Sequence, residues 1–159
     1  FPPKSFNRIT AFALLEHLRQ PASFVKQCFD LLKPGGALVV LVPIADSMWV
    51  RIFGRRWAAL TEAPRHVSVP SRPGLRNLLF HAGFQDIVIL PDTVTSRAGG
   101  VGISLFPKGS SCFYAHGFAI QRLSATIASL LALPLVIAER WIRRRGANVV
   151  AIGRRPASV

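Results

Sequence analysis

The sequence predicts one domain of the α/β class, in which strands and helices alternate along the chain. Its 159 residues are a usual length for one domain, and half of them are hydrophobic, enough to build a core. A strand, a helix and a second strand follow one another within residues 9–42, and a second such succession lies within residues 67–90. Successions of this kind place parallel strands in one sheet, joined by right-handed crossovers.

The first strand is predicted at Ile9–Leu15, an apolar run that ends at the polar residues from Glu16 onward. A helix is expected from Pro21 to about Leu32, because its apolar residues recur on one side at helical spacing. These residues are Phe24, Val25, Cys28, Leu31 and Leu32.

The second strand is predicted at Ala37–Val42, after a tight turn. Pro34 cannot donate a backbone hydrogen bond and disfavours helix at the residue before it, so the helix ends there. Gly35 and Gly36 can take the positive φ angles of a sharp reversal. The unbroken apolar run suits a strand that is covered on both faces. A short core helix fits the same run, but the valines and the flanking Gly and Pro favour a strand.

The stretch Asp46–Glu62 has two interpretations. Its aromatic side chains lie at helical spacing, with arginines between them. It is either a lid whose aromatic side chains pack on the domain, or a basic amphipathic segment that touches lipid or phosphate. The residues concerned are Trp49, Ile52, Phe53 and Trp57, with Arg51, Arg55 and Arg56.

The second succession ends in a third strand, predicted at Asp86–Leu90. The helix before it is predicted to begin after Ser71, whose side chain caps it, and to have Pro73 in its first turn. Gly83 is the expected end of that helix, since glycine takes the left-handed conformation that often follows a helix.

Residues 93–145 are predicted as an irregular and helical excursion before the last strand, Ala147–Arg155. The helical pattern of this excursion is interrupted at Pro134. The apolar centre of Ile127–Arg145 is too short for a membrane span, which needs about 20 apolar residues. A Trp and several arginines follow this apolar centre, so the segment suits a helix that lies on an anionic membrane surface. It suits equally well an ordinary core helix whose arginines are solvated.

The formal net charge of +13 predicts an anionic partner, or a basic surface without one. Such partners are nucleic acid, an anionic membrane surface or a phosphorylated substrate. Cys28 and Cys112 form neither a disulfide framework nor a metal-ligand cluster, so we expect free thiols in a reducing compartment. No secretory signal opens the chain. We therefore expect a cytoplasmic location, which includes a peripheral one at the inner membrane surface, and a chain that begins inside a longer sequence.

Five short stretches occur in a fixed order, in the pattern of a strand ending in L-E-H, a helix, the turn L-K-P-G-G, a strand, a histidine-bearing lid and an A-G-F turn. This order resembles the C-terminal half of class I S-adenosylmethionine-dependent methyltransferases, in particular the branch of the ubiquinone-biosynthesis O-methyltransferases. The matching stretches are Ser5–Thr10, Leu14–Leu18, Leu31–Val42, Arg65–His66 with Ser71, and Leu78–Phe84.

The resemblance implies a partial Rossmann-like sheet with flanking helices, holding strands four to seven of the family's seven. The N-terminal half, with the glycine-rich loop that contacts the cofactor, is then missing, and residues 1–159 form a single incomplete methyltransferase domain. Gly99–Gly102 does not replace that loop, because no strand–turn–helix pattern surrounds it. On its own, this chain is expected not to methylate anything.

The resemblance also implies the site. Ala11 and Phe12 are expected beside the cofactor, S-adenosylmethionine, at the carboxyl end of the first strand, where open α/β sheets bind ligands. Glu16 lies at the same end and is expected to contribute to cofactor binding. His17 is expected to face the substrate pocket as a base or a polar wall, and His66 is the second candidate catalytic residue. In the structural alternative, these three side chains only cap, pack or lie on a lid surface.

No metal is expected at this site. Some ubiquinone-type relatives have a metal-binding E-x-x-E-H, but Ala13 occupies its first position here. Glu16 and His17 alone are two ligands on one short stretch, which rarely hold a divalent ion.

The implied function is methyl transfer from S-adenosylmethionine to a small-molecule or lipid-linked acceptor. Such catalysis is chiefly positioning, with a base where the acceptor is a hydroxyl, so the residues do not reveal whether oxygen, nitrogen or carbon is methylated. The alternative is a non-catalytic basic module that binds an anionic membrane surface or nucleic acid. No nucleic-acid-binding motif accompanies the arginines, which disfavours nucleic acid as a partner.

Overall fold

The computed structural model describes residues 1–61, 65–92 and 146–157, together with Thr126, Ile127, Leu130, Leu131 and Pro134. The strands are β1 (Phe6–Phe12), β2 (Leu32–Pro43), β3 (Gln85–Pro91) and β4 (Asn148–Arg154). The helices are α1 (Pro21–Leu31), α2 (Met48–Phe53), α3 (Ala58–Thr61) and α4 (Arg72–His81), with 3₁₀ turns at Leu15–His17 and Gly54–Arg56.

The four strands form one mixed sheet in the order β1-β2-β4-β3, which confirms the α/β class. β1 runs parallel to β2, and α1 connects them, as the first succession predicted. The second succession is wrong in its first strand, because residues 67–70 form no strand and the N–H groups of Val67 and Ser68 both donate to the Glu16 carbonyl. β4 lies antiparallel between β2 and β3, although it comes last in the chain. Within the described residues, β1 and β3 are therefore the edge strands of the sheet.

β1 differs from its predicted bounds of Ile9–Leu15, because it begins and ends three residues earlier. Ala13 takes a left-handed φ of 48°, so the chain leaves the sheet and forms the 3₁₀ turn Leu15–His17. At its start the strand continues through exposed polar residues, since an edge strand need not be apolar. The apolar pattern therefore marked the strand but not its ends.

β2 begins at Leu32, five residues before its predicted start at Ala37, so the predicted turn is an irregular stretch inside the strand. The two glycines of this stretch meet different constraints. Gly35 has a φ of 77°, as the sequence predicts. At Gly36 the constraint is space, because an added Cβ would lie 2.8 Å from the carbonyl oxygen of Lys33 and 3.1 Å from that of Asn7. A glycine here lets this irregular stretch of β2 lie against β1, where the pairing of β1 with β2 also shifts register.

The main hydrophobic core includes alternate residues of β2 and apolar side chains of α1 and α4. Its largest fully buried members include Phe84, Leu15, Leu32, Leu38, Ile44, Leu75 and Leu79. A second, smaller cluster forms where Trp49 and Trp57 pack with Ala147, directly before β4.

The predicted ends of α4 are confirmed. The Gly74 N–H donates to the Ser71 hydroxyl at 3.2 Å, which caps the start of the helix. Gly83 has a φ of 105° and follows the helix at its other end. Leu75 and Leu79 of the predicted apolar face are fully buried.

Most of the predicted excursion, residues 93–145, lies outside the described residues, and so do Cys112 and most of Ile127–Arg145. The five described residues of this stretch are helical and exposed. The break at Pro134 and the contact with a membrane surface stay predictions. Among the described residues, no helix has the length and apolar character to cross a membrane.

Candidate active site

The two parallel strands, β1 and β2, finish at the same end of the sheet, which we call its carboxyl edge. The 3₁₀ turn Leu15–His17 follows β1, and residues 65–70 return across the same edge. Two hydrogen bonds hold this returning segment: the N–H groups of Val67 and Ser68 donate to the carbonyl oxygen of Glu16, at 2.8 and 3.2 Å. Ligands of open α/β sheets bind outside this end of the strands.

His17 and His66 lie side by side at this edge. Their ring centroids are 4.8 Å apart, with an angle of 59° between the planes. Nδ1 of His17 lies 2.7 Å from the carbonyl oxygen of Arg65, and Nδ1 of His66 lies 2.6 Å from that of Ala59. A carbonyl oxygen only accepts, so each Nδ1 donates. In a neutral imidazole of this tautomer the lone pair is on Nε2.

Glu16 completes the group. Its side chain is only 2% exposed, and within the described part of the chain its Oε2 has no hydrogen-bond partner. One carboxylate oxygen of Glu16 and one nitrogen each of His17 and His66 lie within 4.8 Å of one another. Burying a carboxylate oxygen without a donor is costly, so this position favours a cation or a hydrogen-bond donor as its partner.

The predicted cofactor residues Ala11 and Phe12 occupy the last two positions of β1. Ala11 is buried, whereas the Phe12 side chain is 60% exposed, and Leu14 adds further exposed apolar surface. An open apolar surface beside a buried carboxylate oxygen suits a ligand that has both an apolar and a cationic part. S-adenosylmethionine, with its adenosine, sulfonium and ammonium groups, is such a ligand, so the residues present fit it.

Two contributions to this edge were not predicted from the sequence. The backbone carbonyls that orient the histidines belong to Arg65 and Ala59, and no residue type reveals a carbonyl's role. Asp46, just after β2, accepts a hydrogen bond from the Arg72 N–H at 3.0 Å and pairs with its guanidinium at 3.4 Å. Opposite charge is the only sequence signal for that pair.

The stretch Asp46–Glu62 supports its first interpretation, a lid whose aromatic side chains pack inward. Trp49, Phe53 and Trp57 stack on one another, with ring centroids 5.7–6.1 Å apart and planes within 20°. Both Trp side chains are buried. The exposed side chains of this lid include Arg51, Arg55 and Arg56.

Two other features lie away from this edge. Cys28 is a free thiol in the core, and its burial raises its pKa to about 11, so it is protonated at neutral pH and unsuited to act as a nucleophile. An open cavity of about 450 Å³ lies at the opposite edge of the sheet, lined by Gly35, Asp86 and Arg155 among others. It faces the wrong ends of β1 and β2 for a site of this fold class.

Comparison with known proteins gives a family and several relatives. Residues 1–88 match the family model for a methyltransferase domain. A tRNA U34 carboxymethyltransferase of Idiomarina loihiensis is 34% identical over 96 residues, which cover 58% of this chain and 28% of that protein. The chain thus spans less than a third of this relative's length.

Solved structures share the fold at low sequence identity. A Thermotoga maritima methyltransferase, described as a possible histamine N-methyltransferase, has a TM-score of 0.58 and 15% identity, over 98% of this chain and 58% of that one. A Haemonchus contortus phosphoethanolamine N-methyltransferase was solved with phosphomonomethylethanolamine and S-adenosylhomocysteine. It has a TM-score of 0.55 and 11% identity, and the match covers 98% of this chain and 35% of that one. At such identities the likeness shows the fold alone.

Proposed function

Because this chain belongs to the methyltransferase-domain family, we propose that it is part of an enzyme that transfers a methyl group from S-adenosylmethionine to a small-molecule or lipid-linked acceptor. The observation that carries the proposal is the meeting of Glu16, His17 and His66 at the carboxyl edge of the sheet. A polar group of this kind, beside an exposed apolar strand end, can orient a ligand.

In this chain, the residues expected to contact the cofactor are at the end of β1. Ala11 is small enough for close approach, and the exposed ring of Phe12 offers an apolar contact. When bound, S-adenosylmethionine supplies a methyl group that is already activated by its positively charged sulfur. The protein's task is then chiefly to hold the two reactants in line and to exclude water.

The acceptor is expected to have an apolar body. The side chains of Phe12 and Leu14 are exposed, and Leu14 is joined to His17 by a hydrogen bond from the His17 N–H to the Leu14 carbonyl. We expect His17 to face the acceptor and to form a polar wall for the atom to be methylated. The exposed arginines of the lid supply positive charge for an anionic group of the acceptor, such as a phosphate.

A second candidate acceptor is RNA. The exposed arginines of the lid and the net charge of +13 favour a polyanion, and the Idiomarina loihiensis relative is named for a tRNA position. The two candidates differ in salt dependence. Binding of an RNA acceptor would weaken steeply as salt rises, whereas binding of a small acceptor with an apolar body and one anionic group would weaken much less.

The test of the proposed function is cofactor binding by the protein as its gene encodes it, measured by calorimetry with S-adenosylhomocysteine. Phe12→Ala is expected to weaken binding about tenfold, because the variant loses apolar contact worth about 1.4 kcal/mol. Phe80→Ala is the matched control, since Phe80 is 65% exposed on α4, outside the candidate site, and should leave the affinity unchanged. Absence of binding by the unaltered protein would refute the proposed function.

A further inference from the structure

Glu16, His17 and His66 are a donor set that transition metals prefer. Two imidazoles and one carboxylate suit Zn²⁺ and the other first-row divalent ions. They come from two segments, the 3₁₀ turn after β1 and the segment that returns across it. One ligand atom of each lies within 4.8 Å of the others. We propose that these three side chains bind one divalent transition-metal ion, with Zn²⁺ the best match.

The hydrogen bonds of the two histidines support this assignment. Histidines that bind metals usually donate their second ring N–H to a carbonyl or carboxylate, which fixes the ring and directs the other nitrogen at the ion. His17 does so toward the Arg65 carbonyl and His66 toward the Ala59 carbonyl. Both rings thus have the tautomer that presents Nε2 to a ligand.

The distances require only a small closure. An ion about 2.1 Å from each ligand atom holds any two of them within about 4.2 Å, so the group must contract by about 0.6 Å. Side-chain rotation can supply this, because the backbone of the two segments is already joined at Glu16 by the N–H groups of Val67 and Ser68. The buried Oε2 of Glu16 would gain a cationic partner.

The expectation of no metal depended on counting two ligands on one short stretch. The structure adds His66, which lies far along the chain from His17 and reaches it only through the fold. Ala13, at the first position of the E-x-x-E-H pattern, is not needed in this arrangement. With three protein ligands the ion keeps an open position. Under the proposed function, on which this use depends, an acceptor oxygen would fill it, and the Glu16 carboxylate would contact the ion instead of the cofactor.

The test is a titration of the protein with Co²⁺, followed by its visible absorption, and then displacement by Zn²⁺. We expect one ion per chain with a Kd in the micromolar range or tighter. His17→Ala, His66→Ala and Glu16→Gln should each weaken binding at least about tenfold. His81→Ala is the matched control, because His81 lies on α4 and also donates from Nδ1 to a carbonyl, that of Asn77, so its loss should change nothing.

Two results would overturn the site: no Co²⁺ binding, or binding that the three site variants and His81→Ala leave equally intact. Glu16→Gln keeps the shape of the side chain, so it guards against loss of binding through misfolding, and the unfolding midpoint of each metal-free variant checks this directly. Binding of S-adenosylhomocysteine in the presence of a chelator separates the two proposals. If that binding remains while Co²⁺ does not bind, the ion site alone is refuted.

Discussion

Arg155 joins two segments that lie far apart in the sequence, the end of β4 and the end of α1. Its Nη1 donates to the carbonyl oxygens of Phe29 at 2.6 Å and Leu32 at 2.9 Å. Its guanidinium also lies 4.6 Å from the centre of the Phe29 ring. The last carbonyls of a helix have no partner within the helix, so Arg155 supplies a donor to the Phe29 carbonyl of α1 as well as to the Leu32 carbonyl at the start of β2.

We expect Arg155→Met to lower the free energy of unfolding by about 2–4 kcal/mol, because it removes two charge-assisted hydrogen bonds and leaves their carbonyls unsatisfied. Arg155→Lys should lose less, since it keeps the charge but not the planar fork. The measurement is urea unfolding followed by Trp fluorescence. Arg154→Met is the control, because Arg154 is exposed. Equal effects at the two positions would contradict this role.

The residues of the candidate site could be named from the sequence, but their meeting could not. Glu16 and His17 were placed together by their adjacency, at the end of a strand. His66 was placed only on a lid, because its distance to His17 depends on backbone hydrogen bonds between Glu16 and the returning segment. Those bonds involve main-chain atoms, which every residue carries, so no residue type signals them.

The helices differ in which groups accept hydrogen bonds from the backbone N–H groups of their first turns. Ser71 and Ser47 each accept a backbone N–H from three residues later, at the starts of α4 and α2. α1 begins at Pro21, and the side chain of Gln20, the residue before it, makes no capping bond. The Pro at its first turn removes one donor that would need a partner, so α1 depends more on the burial of Val25 and Cys28.

Ser71→Ala is expected to destabilise the protein by about 1 kcal/mol, because the variant leaves an N–H of the first turn without its acceptor. Ser71→Asn should keep most of the stability, since asparagine caps equally well. Both are measured by urea unfolding at constant pH. The role of the cap would be contradicted if alanine and asparagine gave the same free energy of unfolding.

For helices and strands, the sequence predicts their existence and type more accurately than the residues at which they begin and end. The periodicity of α1 and the signals at Ser71 and Gly83 led to correct helices, because caps and glycine stops act locally. The ends of β1 were wrong by three residues, because they are set by pairing with β2 and by the left-handed Ala13. Such constraints come from the neighbouring strand and leave no mark on the local pattern.

The sheet as a whole has two well-paired inner strands and, within the described residues, two edges. β2 is paired on both sides, by β1 and β4, and β4 by β2 and β3. The same inner strands carry much of the core, with Val40, Val42, Val149 and Ala151 almost fully buried. Local opening should therefore be least frequent in β2 and β4.

Hydrogen–deuterium exchange of the folded protein checks this expectation. Amides in peptides that cover β2 and β4 should exchange most slowly, near the limit set by global unfolding. Peptides from β3 should exchange at least about tenfold faster on average, because alternate amides of an edge strand face away from its partner. Protection of β3 equal to that of β4 would contradict its place as an edge strand among the four described strands.

The place of β4 also has a consequence during synthesis of the protein. β3 leaves the ribosome well before β4, since residues 92–147 must be translated between them. At about 5–20 residues per second this takes roughly 3–11 s. During that interval β2 and β3 each present an unpaired side, and the core lacks Val149 and Ala151 of β4, so apolar residues that later pack on them meet water or a chaperone. Slower translation after residue 91 would lengthen this exposure, so codon choice in that part of the gene bears on how much of the protein reaches its native state.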